Sequence, residues 1–126
     1  MSLRTPLGTV RGLGSSKSGT HHWWVQRLTA VALVPLSVWF AVSVIGLVGA
    51  DHAVVTAWLG GPITAGLMIA LIVATFYHAA LGLQVIYEDY IPNLGWRLAI
   101  DTATKLVLAL LGLIATVSIV MIALGG

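Results

Sequence analysis

The residues able to do chemistry in this chain gather at the edges and in the middle of long apolar runs. His78 lies deep in such a run, the only histidine to do so, within "FYHAALGLQVIYEDYIPNLG". The run closes on Glu88, Asp89 and Tyr90, the last of them twelve residues beyond His78. Arg27 stands where the first apolar run opens. A neutral imidazole donates a lone pair to a metal, a phenol donates a hydrogen bond, and a carboxylate accepts and passes on protons. A guanidinium grips a carboxylate with a planar fork. An ionisable side chain inside an apolar span is costly to keep there, and for that reason marks a candidate functional site.

Long apolar segments must position these groups. The chain has 126 residues, 59% hydrophobic and 8% charged, with a mean hydropathy of +1.02. A soluble domain of this size cannot hide so much apolar surface, so lipid is the expected solvent. Cysteine is absent, which excludes a disulfide framework, a thiolate metal site and a cysteine-held iron–sulfur cluster within the chain. A span needs about 20 apolar residues to cross roughly 30 Å of hydrocarbon. Three runs meet that length, over about 28–50, 62–87 and 100–124, the third starting as early as Leu98. The predicted fold is therefore an all-α integral membrane protein of three transmembrane helices. Residues 27–126 form the anchor domain, and residues 1–26 form a polar arm, extended or ordered by a partner. The first run is too long for the apolar region of a signal peptide, and is expected to be a retained anchor.

Charge sets the expected orientation. Arg4, Arg11, Lys17 and Arg27 precede the first run with no acid among them, whereas the next connection carries Asp51 and no Lys or Arg. This asymmetry reads as a topology signal rather than a nucleic-acid patch. It puts the N-terminus and the Asp89–Tyr90 corner in the cytoplasm and the C-terminus across the membrane. Trp23, Trp24 and Trp96 would form the cytoplasmic aromatic belt, and Trp58 the far one. The connection around Pro92, Asn93 and Gly95 reads as a turn.

Two readings of His78 stand at this point. One is a neutral imidazole hydrogen-bonded to a neighbouring helix. The other is an axial ligand of a haem. Ala70, Ala74, His78 and Gly82 recur every four residues, a stripe of small side chains with the histidine set into it. Such a stripe admits either a close helix or a flat, bulky ligand. His21 and His22 fall at or outside the interface and His52 lies on the far side, so a second axial histidine would have to come from another chain. Tyr90 has a similar pair of readings, as an interfacial belt residue or as a donor to a quinone carbonyl with Glu88 or Asp89 beside it. Arg27 either snorkels and sets topology, or pairs with a haem propionate or a quinone oxygen.

The segments "HHWWVQRLTA" and "HAALGLQVIYEDY" resemble the small hydrophobic membrane-anchor subunit of succinate dehydrogenase, respiratory complex II, of the bacterial haem b type. The shared pattern is Arg27-Leu28-Thr29-Ala30, then His78, Gly82 and the Asp89–Tyr90 pair, and it extends to the three-span layout. The resemblance implies that His78 is an axial ligand of haem b, the other being a histidine of the companion cytochrome b anchor. It implies that Tyr90 hydrogen-bonds ubiquinone with Asp89 in support, and that Arg27 lies near the haem propionates and the quinone. His21 matches a histidine before that arginine, with its role open. The implied partners are the companion anchor, the iron–sulfur subunit and the flavoprotein subunit, in the bacterial inner membrane, with a periplasmic C-terminus. Flavin and succinate would be bound elsewhere in the complex. The competing readings are a fumarate reductase anchor using menaquinone, and a non-redox membrane scaffold.

Overall fold

The computed structural model describes Pro6 and residues 17–125. Four helices follow one another: α1 (Lys17–Gly46), α2 (His52–Gly60), α3 (Pro62–Tyr90) and α4 (Leu94–Ala123). No strand occurs among the described residues. Three of the helices, over Gly19–Gly46, Pro62–Tyr90 and Leu94–Ala123, are long and apolar enough to cross a membrane. At 1.5 Å per residue the 29 residues of α3 reach about 44 Å, longer than the hydrocarbon layer, so the helix tilts or runs on beyond it. The part of the expected arm before Lys17 lies outside the described residues, apart from Pro6.

Each boundary has a local cause. α1 stops at a turn in which Gly49 takes φ +83°, a left-handed conformation that glycine adopts without a Cβ penalty. Asp51 then caps α2, its carboxylate accepting from the Val54 N–H at 3.0 Å. Gly61 is extended, and Pro62 starts α3 at a position where its missing N–H costs nothing. At the other end Ile91 is extended, as a residue before proline prefers. Asn93 caps α4 by accepting from the Trp96 N–H at 3.0 Å. Gly95 therefore lies in the first turn of α4 rather than in the connection.

Two elements differ from the expectation read off the sequence. α1 begins at Lys17, inside the stretch expected to be an arm either extended or ordered by a partner. Residues 17–26, a mixture of polar and aromatic types, continue the helix with no proline to interrupt it. The connection between the first two spans also holds a helix of its own, α2. Its Trp58 stacks on Trp39 of α1, with ring centroids 5.8 Å apart and planes 25° from parallel. Trp58 thus braces α2 against the first span as well as sitting at the far end.

α3 is the organising element. It packs against both α1 and α4, while α1 and α4 do not contact one another. Gly112 of α4 faces the Phe76 ring of α3, from which a Cβ added there would lie at an ordinary contact distance of 3.5 Å. Only Ala65, Ala74 and Ile119 are buried among the described residues. An open row of helices with so little interior leaves large apolar faces exposed.

Candidate functional site

His78 sits on the side of α3 that meets α1. The α1 residues on the facing stripe are His22, Gln26 and Thr29, spaced at four and three residues and so on one helix face. Thr29 Oγ1 lies 3.0 Å from His78 Nδ1. One turn along, a Cβ added at Gly82 would meet Gln26 Nε2 at 3.8 Å and nothing nearer. Ala74 of the same stripe is buried. The small-residue stripe therefore lets α1 approach, and the histidine is set into a polar seam between these two helices. His78 itself is only half-buried. Its Nε2 has no hydrogen-bond partner among the described residues.

The seam continues toward the N-terminal end of α1 with two buried atoms, His22 Nε2 and Gln26 Oε1, that have no partner among the described residues. Unpaired polar atoms in such a place cost free energy unless another group satisfies them. Sequence reasoning left His22 open, named Thr29 only as part of the Arg27-Leu28-Thr29-Ala30 pattern with no role of its own, and did not single out Gln26. The signal was present as a run of polar residues at helical spacing just where the apolar run begins.

Arg27, Asp89 and Tyr90 do not converge with His78 within this chain. Arg27 stands two residues from Thr29, which turns it off the α3-facing stripe. It is exposed, and its guanidinium lies over the Trp23 ring at 5.5 Å from the centroid. No carboxylate pairs with it among the described residues. Tyr90 is the last residue of α3 and 79% exposed. Asp89 is also exposed, and neighbours in a helix point about 100° apart, so the pair forms no bond. Both side chains are open to a partner outside the chain. Trp23, Trp24 and Trp96 are exposed as well, Trp23 and Trp24 meeting edge to face at 5.1 Å.

The opposite side of α3 carries polar contacts that the spacing did not reveal. Lys105 of α4 pairs with Asp101 at 2.9 Å and donates to Gln84 Oε1 at 2.9 Å. Gln84 Nε2 in turn donates to Glu88 at 3.0 Å. Tyr87 and Thr104 share a hydrogen bond of 2.9 Å. These bonds tie the Glu88 end of α3 to the start of α4, and the Lys105–Asp101 pairing reduces the cost of carrying both charges on a spanning helix. An apolar groove of about 560 Å³ lies between the same two helices, lined by Phe76, Tyr77, Leu108 and Gly112 among others.

Among the described residues no three His, Cys, Asp or Glu side chains group to hold an ion. His78 offers a single donor atom, which suits one axial bond rather than a cage. The fit to a haem is favourable on the chain's side: one ring nitrogen is engaged by Thr29 and the other is without a partner.

The fold and site thus define a small subunit with three candidate membrane spans, a histidine midway along the second and a polar rim. The family model described as succinate dehydrogenase/fumarate reductase transmembrane subunit matches residues 1–121. A succinate dehydrogenase hydrophobic membrane anchor subunit from Rickettsia bellii (strain RML369-C) is 35% identical over 104 residues, covering 82% of this chain and 83% of that protein. The subunit of the same name from Rickettsia conorii (strain ATCC VR-613 / Malish 7) is 33% identical over 90 residues, 71% of each chain. That from Paracoccus denitrificans is 30% identical over 90 residues, 71% of this chain and 70% of its own. The chain belongs to the succinate dehydrogenase/fumarate reductase transmembrane subunit family, as a membrane anchor of the succinate dehydrogenase kind.

Proposed function

We propose that the chain helps to bind haem b and ubiquinone at the cytoplasmic side of a bacterial inner membrane, where electrons pass from the iron–sulfur subunit to quinone. The observation that carries this reading is the state of His78, whose Nδ1 is held by Thr29 while Nε2 has no partner. When bound, the haem supplies a one-electron store beside the quinone. His78 would hold the iron from this chain, with a histidine of the companion cytochrome b anchor supplying the second ligand. Arg27, unpaired with any carboxylate here, neutralises a propionate or polarises a quinone oxygen. Tyr90 donates its phenolic hydrogen to the quinone carbonyl, and Asp89 beside it relays protons from the water phase. The apolar faces left open by the row of helices accept the companion anchor, and the polar end of the bundle seats the iron–sulfur subunit with its flavoprotein.

The relatives' names favour a succinate dehydrogenase over a fumarate reductase using menaquinone. A reduced-minus-oxidised spectrum of the purified complex tests the proposal. A haem b band that succinate reduces is expected. A complex active with quinone but free of haem would contradict it.

A further inference from the structure

Thr29 has one hydroxyl hydrogen and three neighbours close enough to share it. Its Oγ1 lies 2.8 Å from the Val25 carbonyl oxygen, 3.1 Å from that of Gln26 and 3.0 Å from His78 Nδ1. The two carbonyls can only accept, so the hydroxyl donates to them, as a threonine within a helix does to the preceding turn. The oxygen then presents lone pairs to His78, and the contact is a hydrogen bond only if Nδ1 carries a hydrogen and donates it. In the reverse arrangement the hydroxyl would give up two acceptors to serve one.

We infer that Thr29 is a positioning residue that holds His78 in its Nδ1–H form, leaving the Nε2 lone pair for a metal. The assignment rests on His78 acting as a haem ligand and adds what sets its tautomer and orientation. A hydrogen bond at the far nitrogen of a ligating imidazole fixes the ring and raises its basicity. Here the acceptor is the hydroxyl of a different span, and it is itself braced by the backbone of α1. The packing of α1 against α3, with Ala74 buried on the same stripe, keeps that hydroxyl within reach. The ring orientation thus depends on the register between α1 and α3 rather than on α3 alone.

Two measurements test the assignment. In the full-length chain, free of haem and labelled with 15N-histidine in bilayers, the His78 signal is identified by its loss in His78→Gln. It should report Nδ1–H, and the Nε2–H form should grow in Thr29→Val. In the intact complex, Thr29→Val should raise the haem midpoint potential and shift its electron paramagnetic resonance signal, because a less basic imidazole stabilises the ferric state less. Haem retention should weaken about tenfold or more. Thr29→Ser keeps the hydroxyl and should restore the wild-type potential and spectrum. An Nε2–H ring in the wild-type chain overturns the assignment, as does a haem-loaded Thr29→Val complex with unchanged potential and resonance signal. A wild-type complex without haem overturns instead the reading on which the assignment rests.

Discussion

At the scale of single residues, the division of labour is between a histidine held inside the chain and a rim that faces outward. The Tyr90 phenol has no hydrogen bond among the described residues and the residue is largely exposed, so the phenol is available to a molecule the chain does not contain. Tyr90→Phe keeps the ring and removes one donor. The loss should cost about 0.5–1.5 kcal/mol of quinone binding, or more if the quinone oxygen is left buried and unpaired. Quinone reductase activity of the complex should fall, while succinate oxidation with an acceptor that draws electrons ahead of the quinone stays near normal. Haem content should also hold, because His78 is about 18 Å away along the helix. Unaltered quinone turnover in Tyr90→Phe would return Tyr90 to the role of a belt residue. The position of His78 was legible in the sequence, because an ionisable group in an apolar run stands out. Its partner was not: Thr29 is 49 residues away, and only packing decides which residues meet across two helices.

At the scale of elements, the seam between α1 and α3 depends on what position 82 leaves empty. A Cβ there stays at ordinary contact distance from Gln26, so Gly82→Ala should assemble and retain haem as the wild type does. The longer branch of Gly82→Leu must displace Gln26 and spread the helices, which breaks the Thr29–His78 contact. Haem content measured in the two variants should separate them, with loss confined to Leu. Equal haem in both would show that the helix spacing does not matter to the site. Helix ends give a second check. Asp51→Ala removes the cap of α2 and should cost about 1 kcal/mol, seen as faster hydrogen exchange at the Val54 amide. The three spans were legible because length and apolarity suffice to define them. The helix over residues 17–26 was hidden by its polar composition. α2, with nine residues, is shorter than the windows in which periodicity shows, and its signal was the single capping position Asp51.

At the scale of the whole molecule, a row of three spans with almost no interior is a component built for company. The α3 helix touches both neighbours, and the outer faces stay apolar and open. The orientation proposed from the basic residues ahead of Leu28 has the N-terminus in the cytoplasm and, with three crossings, the C-terminus on the opposite side. A reporter fused after Gly126 should accordingly be active in the periplasm, and cytoplasmic activity of that fusion would contradict the orientation. On the proposed reading the site is completed by other subunits, with this chain supplying the His78 imidazole and an outward-facing rim. The central claim is that this imidazole holds a haem. The most direct measurement is the haem content and reduced-minus-oxidised spectrum of the purified complex carrying His78→Leu, with the amount of inserted chain determined alongside. The haem b band should be lost or shifted while the chain still inserts. An unchanged band and unchanged haem content in that complex would contradict the claim.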